Sequence, residues 1–292
     1  MKNTDLFGNI IEINPLLRDK FIEPPFSILD TKSGNWQKRK RQWKKLGIKS
    51  EIGREATTFN MKSWADKKHK LGKLKGNTLP SDTSIFDPAL CEVLYHWFCV
   101  NGKEILDPFA GGSVRGIVAN YLGYNYTGID IRQQQIDSNR EQSLEILEID
   151  NQPNYYVGDS NLILNDMTKK YDFIFSCPPY ADLEVYSDLD GDISNMEYND
   201  FILAYEKIIN KSCNLLKKDG YACFVVGEVR DKKGNYLGFV PDTISAFKKA
   251  GMKYYNEGIL LNTIASASIR ANGNMKTQKL VKVHQNILVF RK

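Results

Sequence analysis

No stretch of this sequence is apolar for long enough to cross a bilayer, and its first residues, MKNTDLFGNI, lack a basic region followed by an apolar run. A membrane is set aside as a partner, and a cytoplasmic protein is expected. Cysteine is scarce. Cys91, Cys99, Cys177, Cys213 and Cys223 are odd in number, no two stand at zinc-site spacing, and only three histidines are present to assist. Reduced thiols and no metal are expected. The Lys-Ser/Thr ending of a triphosphate-binding loop is missing, as is the GxGxxG of a dinucleotide fold. Internal repeats and low-complexity tracts are also absent.

What is present is segregated. The 292 residues suffice for one catalytic-size domain plus an appendage, and the composition, 42% hydrophobic and 26% charged, is that of a globular protein. The formal charge is +5, yet Lys32 to Gly76 holds fifteen Lys or Arg against three acidic residues, about +12, which leaves about −7 elsewhere. Three of the four tryptophans, Trp36, Trp43 and Trp64, stand among these cations. Most basic runs are solvated linkers. Aromatic rings interleaved with Lys and Arg instead offer stacking surfaces beside phosphate contacts, and nucleic-acid binding is the reading preferred for this segment.

After the turn-rich KGNTLPSDTS the texture changes. PALCEVLYHWFCV reads as an apolar helix. KEILD, NYTGID, NYYVGD, YDFIFS, YACFVVG and QNILVF read as short buried strands, separated by helical stretches at 114–123, 132–148, 197–217 and 241–250. Strands alternating with helices predict an α/β fold with a mainly parallel sheet covered on both faces.

In EILDPFAGGSVRGIVANYLG a strand meets a Gly-rich turn and then a helix, the usual ligand position at the carboxyl end of an open α/β sheet. Gly111 and Gly112 let backbone approach a ligand, with Asp107 at the strand tip. A second strand ends at Asp130, where a carboxylate can accept from ribose hydroxyls, and a third offers Asp159 and Ser160. Each aspartate alone could be a helix N-cap. Three at successive strand ends suggest one shared crevice.

DPFAGG, GIDI, GDS and CPPY, in that order, resemble the motifs of S-adenosylmethionine-dependent DNA amino-methyltransferases, the adenine-N6 and cytosine-N4 group. The resemblance runs over roughly residues 80 to 290. PPFSILDTKSGNWQKRKRQWKKLGI and SCPPYADLEVYSD resemble phage-encoded DNA methylases in particular. The resemblance implies a class I methyltransferase fold, Rossmann-like, with a seven-stranded sheet that has one antiparallel strand. It implies S-adenosylmethionine as cofactor, with Asp107, Phe109 and Gly111 at its methionine end, Asp130 at its ribose and Asp159 at its adenine. Double-stranded DNA is the implied partner. The first motif departs from the family's DPFxGSGT, because Gly112, Ser113 and Val114 occupy its last three positions.

The chemistry accounts for CPPY. The lone pair of an exocyclic amino group is delocalised into the base; acceptors that bind its two protons draw the nitrogen toward a tetrahedral form able to attack a methyl group. The base must first be flipped out of the duplex. By resemblance, Pro178 of the Pro178-Pro179 pair gives a carbonyl acceptor, Tyr180 stacks on the base, and Cys177 holds the place of the side-chain acceptor. Sulfur accepts weakly, and Ser176 points to the opposite face of the strand. A cysteine thiolate can alternatively add to carbon 6 of a pyrimidine and activate carbon 5, with Glu228 of VVGEVRD beside the base. In the carbon-5 family proline precedes the cysteine, so the order here favours amino methylation.

Weaker candidates are Asp182, Glu184, Asp188, Asp190 and Asp192 in DLEVYSDLDGD, which also read as a solvated loop. Arg270, Lys276, Lys279 and Lys282 could hold phosphate at the rim of a cleft, and His284 reads as a packed strand residue. The sequence thus predicts residues 1–79 as a basic, DNA-engaging region and 80–292 as the methyltransferase domain. An RNA or protein methyltransferase and a binding module on a methyltransferase fold are the competing readings, and a structural or interaction protein is the least favoured, since it has no need of acidic residues at three neighbouring strand ends.

Overall fold

The computed structural model describes residues 17–49, 86–179, 189, 191–231, 233–262 and 267–292. Its strands are β1 (Ile28–Asp30), β2 (Glu104–Asp107), β3 (Asn125–Asp130), β4 (Asn154–Val157), β5 (Tyr171–Ser176), β6 (Leu216–Val226), β7 (Lys253–Leu261) and β8 (His284–Arg291). They form one sheet in the order β1-β7-β8-β6-β5-β2-β3-β4. Every pairing is parallel except the two made by β8, which runs against both β6 and β7. The mainly parallel α/β fold with one reversed strand is as expected, but the strand count is eight rather than seven. The additional strand is β1, whose Leu29 is buried opposite Leu260; Thr31 Oγ1 then donates to the Leu261 carbonyl at 2.6 Å.

Alternation along the strands builds two cores. Phe173, Phe175, Cys223, Val225, Ile287 and Val289 face one side, where α2 (Gly34–Lys45), α3 (Pro88–Phe98), α4 (Val114–Tyr121) and α5 (Gln133–Ile146) pack. Ile174, Ala222, Phe224, Val226, Leu288 and Phe290 face the other, against α6 (Ser160–Asp166), α7 (Tyr198–Leu215) and α8 (Phe239–Lys249). This is the period of two expected of a sheet buried on both faces. The small helices α1 (Leu17–Phe21) and α9 (Ala267–Met275) and a 3-10 turn at Ile193–Asn195 complete the described elements. None of the described helices is long and apolar enough to cross a membrane. Because β1 to β7 all point the same way, their carboxyl ends share one rim, and the 262–283 connection to β8, with Arg270, Lys276, Lys279 and Lys282, leaves from that rim as well.

Local signals fix the helix starts. Asp87 caps α3 by accepting from Ala89 N–H, with Pro88 in the first turn, and Ser33 caps α2 by accepting from Trp36 N–H. The α2 tryptophans are not the exposed stacking rings that the sequence suggested. Trp36 and Trp43 are 1% and 5% exposed, and both indoles donate inward, Trp36 to Asp87 at 3.1 Å and Trp43 to Glu92 at 2.7 Å. Arg39 grips Glu92 through two bonds of 2.6 and 2.8 Å, and Lys40 reaches Asp87 at 3.0 Å. Two carboxylates, one capping α3 and one within it, satisfy two indoles and two cations, so burying the rings leaves no donor unpaired. Trp64 lies outside the described residues.

Candidate active site

The carboxyl ends of β2, β3, β4 and β5 converge on an open cleft, the usual ligand position in such a sheet. Phe109, Gly111, Asp130, Asp159, Ser160, Cys177 and Pro179 line it, with Ile131, Arg132, Gly191, Asp192 and Ile193. Residues expected at one crevice from three separate motifs are therefore neighbours. Tyr180, Asp182, Glu184, Asp188 and Asp190 lie outside the described residues, and Pro178 is buried behind the lining.

The loop after β2 is shaped by backbone contacts. Gly111 has φ of +49°, its N–H donates to Asp130 Oδ2 at 3.0 Å, and its carbonyl accepts from Asn139 at 2.7 Å. A left-handed residue held at both ends is a glycine position. Asp130 also accepts from Arg132 N–H at 2.9 Å, and its backbone carbonyl accepts from Gly158 N–H at 3.0 Å. It ties three strand ends together while its side chain faces the cleft.

Asp159 does two things. One oxygen caps α6 by accepting from Asn161 N–H at 2.7 Å; the other lies where a Cβ on Gly191 would approach it to 3.3 Å. Ser160 Oγ donates to the Pro108 carbonyl at 2.6 Å, pinning the β4 end to the β2 loop. On the opposite wall Asp192 is buried and accepts from the Ser194 amide and hydroxyl at 2.9 and 2.7 Å, so this member of the acidic run is no solvated loop residue.

Asp107 departs from its expected place. Its carboxylate has no exposure and does not line the cleft. One oxygen accepts from Phe109 N–H at 3.1 Å and Ser176 Oγ at 2.6 Å, the other from Arg115 Nε and Tyr126 OH, each at 2.6 Å. Four donors on two oxygens saturate a carboxylate. Arg115, only 4% exposed, also donates to the carbonyls of Phe109 and Ala110 at 2.7 and 2.8 Å and lies 4.7 Å from the centre of the Phe86 ring. Burial alone would lower the Arg115 pKa, but the Asp107 charge and the Tyr126 hydroxyl carry it well above its ordinary value. Burial and the same aspartate push the Tyr126 hydroxyl up. Asp107 is thus an internal anchor joining the loop after β2 to Ser176, the residue before Cys177.

The turn that follows β5 carries the reactive candidate. Cys177 is the one cysteine of the five that is not buried, and it faces the cleft. Burial raises the other thiols, Cys99 and Cys213 to about 12. Glu228, just past β6, accepts from Val240 N–H at 3.1 Å through one oxygen; the other is buried without a partner among the described residues. His284 opens β8 and pairs with Leu261, the structural role expected. No metal-binding cluster occurs among the described residues. Sequence reasoning missed Arg115 and Tyr126, neither of which lines the cleft, while Ser176 points away from it as expected.

No protein family matches the chain, and no curated protein sequence matches it. Solved structures do. TrmN from Thermus thermophilus is 14% identical over 71% of this chain with a TM-score of 0.46, and this chain spans only 49% of it. Magnesium protoporphyrin IX methyltransferase (ChlM) from Synechocystis PCC 6803, solved with bound SAM, is 13% identical over 80% of this chain and 93% of its own, with a TM-score of 0.47. TTHA0409, also from Thermus thermophilus and provisionally described as a DNA modification methylase, is 19% identical over 47% of this chain and 52% of its own, with a TM-score of 0.35.

Proposed function

We propose that this chain is an S-adenosylmethionine-dependent methyltransferase that modifies an exocyclic amino group of a flipped DNA base, cytosine N4 or adenine N6. The observation that carries the reading is the meeting of the Cys177-Pro178-Pro179 turn with Gly111, Asp130 and Asp159 at one cleft. The cofactor, when bound, supplies a methyl group on a positively charged sulfur, so the transfer needs no metal.

What supports this cofactor is the chemistry of the lining. Asp130, Asp159 and Asp192 surround the cleft with Arg132 as the cationic member, a balance that suits a positively charged ligand. The glycine backbone at 111 permits close approach, Asp130 is held at the β3 tip where its carboxylate can accept from a ribose diol, and Asp159 stands at the next strand end for the base. Asp107 acts from beneath, holding the Phe109–Gly111 loop in shape.

On the acceptor side, the Pro178 carbonyl and Cys177 Sγ would take the two amino protons and turn the nitrogen lone pair toward the methyl group. Tyr180 would stack on the base. The basic segment would supply phosphate contacts, so residues 1–79 act as the DNA-engaging region, with β1 and α2 packed into the same sheet and core as the catalytic residues of 80–292.

A second reading is favoured by one observation, the partial exposure of Cys177 toward the cleft. In that reading its thiolate adds to carbon 6 of a cytosine, carbon 5 takes the methyl group, and loss of the carbon-5 proton expels the thiolate. The two readings separate in one experiment. The protein is incubated with duplex DNA and methyl-labelled S-adenosylmethionine, the DNA is digested to nucleosides, and products are identified by mass spectrometry. Label on an exocyclic nitrogen supports the first reading and label on carbon 5 the second. Label on neither, with RNA and protein also unlabelled, would overturn the enzymatic assignment.

A further inference from the structure

Helix α2 holds no acidic residue, and its cations are Lys38, Arg39, Lys40, Arg41, Lys44 and Lys45. The structure divides them into two groups. Arg39 and Lys40 are spent on Glu92 of α3 and on its cap Asp87, and they flank the buried Trp36 and Trp43. At about 100° per residue the two tryptophans lie within about 20° of each other around the helix axis, and Lys38, Arg41 and Lys45 lie about 150–170° away. All three are exposed and have no acidic partner among the described residues, and Lys44 is exposed beside them.

We infer that this outer face of α2 is a fixed phosphate-binding surface for duplex DNA. The inference rests on the DNA-methyltransferase reading and names the part of the protein that holds the duplex backbone. Lys38 to Lys45 spans about 10 Å of helix axis, roughly the distance covered by three phosphates along one strand. The tryptophans make the row rigid without touching the ligand: they key the inner face onto α3, as does the edge-on contact of Trp43 with Tyr121 at 5.2 Å. A straight row on an immobile helix suits a stiff, linear polyanion, and duplex DNA is one; it offers no ring to stack on the unpaired bases of a single strand. The parallel direction of β1 starts α2 at the same carboxyl-end rim as the cleft, with β7, β8 and β6 standing between β1 and β5 in the sheet.

The test uses the full chain. Lys38→Glu, Arg41→Glu and Lys45→Glu are combined, and binding to a fluorescent duplex oligonucleotide is followed by anisotropy from low to moderate salt. A control of equal charge change carries Lys207→Glu, Lys248→Glu and Lys253→Glu, all exposed and elsewhere on the surface. The outer-face variant should bind at least tenfold more weakly at low salt, and its log-affinity against log-salt slope should be shallower by about 2–3, near 0.9 per lost phosphate contact. The control should keep most of the wild-type affinity. S-adenosylmethionine affinity by calorimetry should be the same in all three proteins, which keeps the methyltransferase reading separate from this one. Wild-type affinity and slope in the outer-face variant would overturn the inference. So would equal weakening in the control, or preference of the wild type for single-stranded over duplex nucleic acid.

Discussion

Replacing Arg115 by methionine should be among the costliest single changes in the protein. The substitution keeps most of the side-chain volume but leaves the fully buried Asp107 carboxylate with three donors and no compensating charge. Removing one partner from a buried ion pair costs about 3–5 kcal/mol. The carbonyls of Phe109 and Ala110 lose their donor in the same step. Against a total stability on the order of 5–15 kcal/mol this is a large share. With a urea slope of about 3 kcal/mol per molar, the unfolding midpoint should fall by roughly 1–1.7 M, read by circular dichroism. Adding Asp107→Asn to Arg115→Met removes the stranded charge, so the double variant should lose less than the two single losses added together. A midpoint shift under about 0.3 M in Arg115→Met, or strict additivity in the double variant, would refute the view that these residues form one charged anchor.

Three further outcomes test the site and its surroundings. Asp130→Ala should weaken S-adenosylmethionine binding about tenfold or more, since a hydrogen bond to a charged group is worth about 1.5–3 kcal/mol; unchanged affinity in calorimetry would remove the ribose assignment. A thiol reagent applied to the native protein should label Cys177 first, because burial raises the thiols of Cys91, Cys99, Cys213 and Cys223, and peptide mapping that finds another cysteine labelled at the same rate would contradict this. Asp172 is held below the usual carboxylate range: burial works against this, but Lys217 and the amides of Glu104 and Lys103 outweigh it. Its stabilising effect is therefore present above its unfolded pKa and lost as pH falls through the lower folded one, so Asp172→Asn should be less stable at neutral pH and converge with wild type in strong acid.

Most of the sheet was legible in the sequence. NYTGID and YDFIFS match β3 and β5 end to end, because buried parallel strands are short apolar runs bounded by turns. Lys253–Leu261 was not read as a strand: it carries Asn256, Glu257 and Gly258, and most of it is exposed near the sheet edge, so neither alternation nor a continuous apolar run marks it. β1 was too short to stand out from the basic segment around it. The motif glycine and aspartates of the cleft were legible because turn chemistry and strand ends are local. Arg115 was not, since a charged residue on an amphipathic helix reads as surface, and nothing local to it announces that Asp107 waits beneath. For the same reason Trp36 and Trp43 suggested stacking: Glu92 and Asp87, which absorb the neighbouring cations, lie about fifty residues later in the chain.

The position of β1 has a consequence for how the chain is made. Thr31 bonds to Leu261, 230 residues further on, and among the described strands β1 has no neighbour other than β7. During synthesis β1 emerges well before β7, so its place at the sheet edge exists only after Leu261 has left the ribosome. A chain growing at about 5–20 residues per second would leave β1 unpaired for roughly 12–46 seconds, whereas the partners of α2 follow it by only about fifty residues. Over that interval the strand's backbone groups stay open to other partners, and closing this edge must follow the making of β7.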